Sequence, residues 1–232
     1  MKSINSMKGQ QSGFTLVEIA IVLVIIGLLL GGILKGQELI NSAKVKNMIS
    51  DFRTAQSMVY GYQDKYRSFP GDQTAAQLLG NFPSAVPAPT AGTPALNNNG
   101  RLDGPWNSVA VTDESFLFWQ HVRLANLGAG PTDPADPNYL PRNADGGRLG
   151  VESGLDAAGA AAPFIAGMTG SFFVCSDGVL GKYAKQIDST MDDGNGAAGS
   201  VRIVPTGSAR GTVGSLNTAI VDGSQYIICA AF

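Results

Sequence analysis

Residues Phe14 to Leu34 read FTLVEIAIVLVIIGLLLGGIL, an uninterrupted apolar run carrying one charge, Glu18. At about 1.5 Å per residue, a helix of this length spans the roughly 30 Å hydrocarbon layer of a membrane. Ahead of it stands MKSINSMKGQQSG, with Lys2 and Lys8 and no acid. The positive-inside rule keeps such a leader cytoplasmic and sends the rest of the chain outward. An ordinary secretory signal has a shorter apolar core and a small-residue cut site after it. This run is longer and ends in GGILKGQE, which lacks that site. A plain membrane anchor leaves Glu18 unexplained, because a carboxylate costs about 2.5–3.5 kcal/mol at the bilayer centre and somewhat less near an interface.

Beyond Lys35 the pattern turns amphipathic. Val45, Met48, Phe52, Ala55, Val59, Tyr62 and Tyr66 recur at steps of three and four, while Lys44, Lys46, Asn47, Ser50, Asp51, Arg53 and Ser57 occupy the other side. The signal stops at Ser68-Phe69-Pro70-Gly71-Asp72. One helix from Phe14 to about Tyr66, roughly 80 Å long, is expected.

Gly13-Phe14-Thr15-Leu16-Val17-Glu18, behind a short basic leader and before an apolar helix, resembles the N-terminal signature of type IV pilins and type II secretion pseudopilins. The resemblance covers roughly the first 50 residues. It implies removal of residues 1–13 by a prepilin peptidase cutting between Gly13 and Phe14, N-methylation of Phe14, and Glu18 as fifth residue of the mature chain. Partners implied are that peptidase, other pilin or pseudopilin subunits, an assembly platform and the bacterial inner membrane. Cutting leaves an ammonium at Phe14, which Glu18 of a neighbouring subunit can neutralise on assembly; pairing within one subunit is the alternative. Gly27, Gly31 and Gly32 permit close helix approach in a bundle. Where many family members carry a proline, this chain has Lys35 and Gly36, so no proline kink is expected. More patchily, Tyr66…Phe69-Pro70-Gly71-Asp72, Phe118-Trp119-Gln120-His121 and Ile187-Asp188…Asp192-Asp193-Gly194 are similar to patterns in larger prepilin-type proteins.

The remaining chain reads as one α+β domain with long loops, in which the amphipathic half of the helix packs on a small antiparallel sheet. The expected organisation is leader 1–13, membrane or filament-core helix 14–34, amphipathic half 35–68, and a periplasmic or extracellular domain 69–232. Residues 70–112 are loop-rich; a helix is expected over Glu114–Leu127, strands over Gly170–Cys175, Ser200–Pro205 and Gln225–Phe232, and a helix over Gly181–Met191. Thirty glycines and twelve prolines agree with irregular connections.

Of two cysteines, Cys175 and Cys229, a disulfide fits an exported domain, whereas two buried thiols are the alternative. A net charge of -2 with 15% charged residues gives no reason to expect nucleic acid. The single histidine, His121, beside no cysteine, reads as structural. No G-x-S-x-G, P-loop, H-E-x-x-H or C-x-x-C occurs, and an enzyme is not expected. Trp106, Trp119 and Tyr139 read as core aromatics before they read as a ligand patch. No cofactor is expected. Asp188, Asp192, Asp193 and Asn195 around Gly194 offer calcium-type oxygens, but the spacing is not an EF-hand and a plain turn explains it better. The function expected is a structural subunit of a pilus-like or pseudopilus filament, held in the inner membrane and then assembled at the cell surface or in the periplasm. The alternative is a minor tip subunit that adheres, takes up DNA or binds cargo.

Overall fold

The computed structural model describes residues 15–87, 98–154 and 162–232. Contacts divide the chain into two units, 1–42 and 43–232. Helix α1, Leu16–Tyr66, contributes to both.

In the first unit every side chain from Leu16 to Leu34 is exposed. Leu16 is 91% exposed and Leu28 73%. By length and composition this helix can cross a membrane. A helix suits that setting because it satisfies all its backbone groups internally. A Cβ added at Gly27, Gly31, Gly32 or Gly36 would meet nothing within 4 Å.

In the second unit α1 buries Val45, Met48, Ile49, Phe52, Ala55, Val59 and Tyr62. Ile49 widens the expected stripe, and Tyr66 is only half-buried. The helix ends where Arg67 turns to φ 56° and its N–H closes on Gln63 O. Next come α2 (Ala75–Leu79), α3 (Glu114–Leu124), β1 (Leu149–Glu152), β2 (Phe173–Leu180), α4 (Gly181–Met191), β3 (Val201–Pro205), a 3-10 turn (Asn217–Ala219) and β4 (Gln225–Ala231). The strands form one antiparallel sheet in the order β1-β2-β4-β3. This is the expected α+β layout, a long N-terminal helix and a small antiparallel sheet.

The sheet is covered on both faces, so its strands carry apolar residues on each side rather than alternating with polar ones. On one face Val151, Val174, Val201, Ile203, Ile228 and Ala230 join the main core with α1 and α3. On the other, Phe173, Cys175, Val204, Ile227 and Cys229 lie under Trp106, Phe164, Ile165 and Met168 from the loops.

The structure departs from the expected elements at three points and adds a short helical turn at a fourth. Helix α3 stops at Leu124 rather than Leu127, because Asn126 adopts φ 59° and Leu127 N–H turns back to Val122 O. Strand β2 starts at Phe173 and runs on to Leu180 past Ser176-Asp177-Gly178, a stretch with turn-like composition that is instead a bulge with Gly178 at φ 67°. Strand β1, short and glycine-containing, was not expected. A Cβ at its Gly150 would lie 1.9 Å from Trp106 O, so the backbone approach there demands glycine. The loop-rich stretch after α1 holds one helical turn, α2, closed by a Thr74–Gln77 capping box.

Candidate functional site

The N-terminal end of α1 carries the residues singled out for processing and assembly. Gly13 and Phe14 lie outside the described residues. Glu18 stands in the exposed first turn. Thr15 N–H and Thr15 Oγ1 both donate to Glu18 Oε2 at 2.8 Å, and Glu18 N–H donates back to Thr15 Oγ1 at 3.2 Å. This reciprocal arrangement is a capping box, supplying orphan amides of the first turn from a side chain. Thr15 thereby orients the carboxylate at the tip of an otherwise uncharged apolar rod. The next charges along α1 are Lys35 and Glu38, paired at 2.8 Å.

In the second unit Cys175 and Cys229 face each other across β2 and β4 and are joined as a disulfide. The bond links two neighbouring strands of the sheet. Both residues are fully buried.

His121 is also fully buried on α3. Gly71 N–H donates to its Nδ1 at 2.9 Å, so Nε2 carries the proton and donates to Val86 O at 2.8 Å. Burial pushes the imidazole down to about 4. With both nitrogens committed to backbone groups, the ring ties two loops to α3 and offers nothing to a metal or substrate. Trp106, Trp119 and Tyr139 are buried at 3%, 4% and 1% exposure. They form no ligand patch.

The Asp188 group at the end of α4 is brought together. One oxygen each from Asp188, Asp192 and Asp193 lies within 4.8 Å of the others. Asn195 is bonded within the turn: its N–H donates to Asp193 Oδ1, and its own Oδ1 accepts from Ala197 N–H. That residue does the turn chemistry.

Two buried acidic groups have no counterpart in the sequence reading. Asp72, Asp103 and Glu114 are 1%, 5% and 0% exposed and near enough to perturb one another. Asp72 accepts from Asn99 and Gly100 N–H, and Asp103 N–H donates to Glu114 Oε2. Burial, then the Asp72 and Asp103 charges, push Glu114 up to about 9, so it is a neutral acid at pH 7. Glu114 stands in the first turn of α3, a position with no local sign of burial. Glu152, fully buried at the end of β1, accepts from Trp106 and Phe164 N–H and pairs with the Arg210 guanidinium through both oxygens. These groups fasten loops; none has the nucleophile and base of a catalytic site.

Residues 8–34 match the family described as the prokaryotic N-terminal methylation motif, the prepilin signature of type IV pilins and pseudopilins. No curated protein and no solved structure matches the chain. The motif supports a pilin- or pseudopilin-like secreted subunit, implies processing by a prepilin peptidase, and belongs to proteins that are structural rather than catalytic.

Proposed function

We propose that the chain is a structural subunit of a type IV pilus-like or type II secretion pseudopilus filament, cut between Gly13 and Phe14, methylated at Phe14 and polymerised through α1. The observation that carries this reading is an apolar helix surface exposed along Leu16–Leu34, tipped by one carboxylate within the prepilin signature. Such a surface is unstable in water at about 25 cal/mol per Å². It is stable in a membrane, and again when identical helices pack together.

Glu18 distinguishes assembly from mere anchoring. An anchor gains nothing from an acid at this depth, whereas a filament pairs Glu18 of one subunit with the new Phe14 ammonium of the next. Each charge then loses its desolvation cost only when subunits stagger correctly. The precursor waits in the inner membrane with its N-terminus cytoplasmic, and the 69–232 segment ends on the filament surface.

Mass spectrometry of the native protein should find a chain starting at Phe14 and bearing one added methyl group. In a Gly13→Leu variant the uncut chain should remain in the membrane. In Glu18→Gln the mature chain should still reach the membrane, but filament recovered by shearing should fall at least tenfold. Normal filaments from Glu18→Gln, or mature-length protein from Gly13→Leu, would refute the proposal.

A further inference from the structure

A cleft of about 460 Å³ in the second unit is lined by α1, the turn after it, and the loops at 100–101, 153 and 170–172. Its volume lies within the range of about 300–1,000 Å³ usual for small-molecule sites. Tyr60 and Gln63 stand one turn apart on the same face of α1. The floor is aromatic. Phe172, fully buried, meets Tyr60 edge-on at 5.7 Å and Phe69 at 6.3 Å, and stacks on Phe232 at 5.5 Å. Tyr60 itself keeps 48% of its surface exposed.

The walls are fixed through their backbone. Gly100 and Asn99 N–H donate to the two oxygens of Asp72 at 2.8 and 3.0 Å, Leu102 N–H to Ser153 Oγ at 2.8 Å, and Ser171 N–H to Phe232 O at 2.7 Å. The polar ends of the lining side chains are not used for this. Among the described residues, the Tyr60 hydroxyl, the Gln63 amide, the Ser171 hydroxyl and the Arg101 guanidinium make no hydrogen bond to protein. Arg101 also forms no ion pair among them; Asp103, two residues on, is buried and not paired with it. One exposed polar group needs no explanation, since water serves it. Four that converge over one rigid aromatic floor have the character of a preorganised site.

We propose that this cleft binds a sugar carrying a carboxylate, a uronic-acid unit of an acidic glycan, with Tyr60 against the ring and Arg101 on the carboxylate. A pyranose presents C–H groups on its faces and hydroxyls round its rim, which matches an aromatic surface edged by an amide and hydroxyls. Arg101 is the one charged residue lining the cleft, and its fork suits a single carboxylate. A peptide added to a sheet needs a free strand edge, but β2 beside the cleft is already paired with β1 and β4. Nucleic acid needs several cations along its phosphates, and the lining offers one. The cleft lies within one subunit, so its test and that of filament assembly fail separately. Repetition along a filament would add avidity, and that consequence alone rests on the proposed function.

The test is calorimetric titration of the full chain in detergent with a galacturonic acid trimer, with a galactose trimer and a single-stranded DNA oligomer in parallel. The uronate should bind with a Kd below about 1 mM, and the neutral trimer at least about tenfold more weakly. Arg101→Gln and Tyr60→Leu should each weaken uronate binding about tenfold or more. Arg101→Gln, a surface change, should leave Tm within about 2 °C of the parent, which separates lost binding from lost folding. Arg142→Gln, an exposed arginine outside the cleft, should bind like the parent. No heat up to about 5 mM uronate, or an Arg101→Gln variant that binds like the parent, overturns the site. An equal loss in Arg142→Gln also overturns it, since binding would then be diffuse charge attraction. Equal affinity for the galactose trimer, or tighter binding of the DNA, overturns the assignment to an acidic sugar.

Discussion

Replacing Cys175 and Cys229 together by alanine isolates the contribution of the disulfide, because the double change leaves no orphan thiol. The bond closes a loop with sequence separation 54, enclosing α4 and β3. In the chain-entropy account such a crosslink removes about 14 cal/mol/K from the unfolded chain, or about 4 kcal/mol at 25 °C. The native state loses little, since the ladder pairing Val174 with Ala230 and Ser176 with Ile228 flanks the bond on both sides. At about 2–4 °C per kcal/mol for a unit of this size, Tm should fall by roughly 8–16 °C. The assay is thermal unfolding of the full chain in detergent followed by tryptophan emission, to which Trp106, buried in the same cluster as the two cysteines, reports directly. Wild-type protein unfolded with and without reductant provides a second arm with no sequence change. A double variant melting within about 2 °C of the parent would refute the reasoning, since it would mean that the crosslink restricts nothing in the unfolded chain.

Two buried groups on α3 should impose opposite pH slopes. The His121 pKa is depressed from 6.5 to about 4, so its stabilisation is complete above pH 6.5 and is lost as pH falls toward 4. The Glu114 pKa is raised from 4.5 to about 9, so its stabilisation is complete below pH 4.5 and is lost as pH rises toward 9. Each slope approaches about 1.4 kcal/mol per pH unit within its window. Urea midpoints of His121→Gln minus those of the parent should therefore change with pH only below 6.5, and a difference independent of pH would contradict the assignment. Glu114→Gln, able to accept from Asp103 N–H and to donate toward Asp72, should stabilise the protein progressively from pH 5 to 9; equal stability at pH 8 would count against a neutral Glu114. Gly71→Ala places a Cβ 2.4 Å from Glu114 O at φ 102°, and should cost about 3 kcal/mol in urea unfolding. A loss below about 1 kcal/mol would show that this turn relaxes freely.

Patterns set by a single helix were legible in the sequence. The apolar run, the amphipathic stripe from Val45 to Tyr62, and the α4 span needed only periodicity and local stop signals. So did β3 and β4, whose runs VRIVP and QYIICAA are rich in β-formers. What escaped depends on tertiary partners. Strand β1 reads LGVE and is held by pairing with β2 and by the close approach of Trp106, neither of which has a local sign. Strand β2 crosses Ser176-Asp177-Gly178 because its partner β4 continues beside it. The burial of the acids Asp72, Asp103, Glu114 and Glu152 was not legible, because burial of a charged side chain has no periodic signature. At the N-terminus the Thr15–Glu18 spacing is itself a capping-box pattern. That role is compatible with an intermolecular partner for Glu18, one securing the first turn and the other the neighbour.

The buried polar residues of the second unit share one physical task. Long stretches such as 128–147 contain no helix and no strand of their own, yet their backbone groups still require partners once covered. Side chains supply them. Arg123 Nη1 donates to Pro131 O and Tyr139 O, and its Nε to Ala129 O. Gln120 accepts from Val86 N–H and donates to Thr132 O. Asn143 accepts from Asp145 and Gly147 N–H and donates to Asp177 O. Together with His121 and Glu152 these residues act as substitutes for a sheet ladder, each one joining a loop to α3, β1 or β2. The expected consequence is that α3, Glu114–Leu124, tolerates substitution poorly at its polar positions as well as its apolar ones. Replacing Gln120 or Arg123 by leucine keeps the bulk but orphans two or three backbone carbonyls and amides, at about 1–3 kcal/mol for each buried group left unpaired. The described loops around α3, β1 and β2 are thus irregular in backbone conformation and are held in place by side-chain hydrogen bonds.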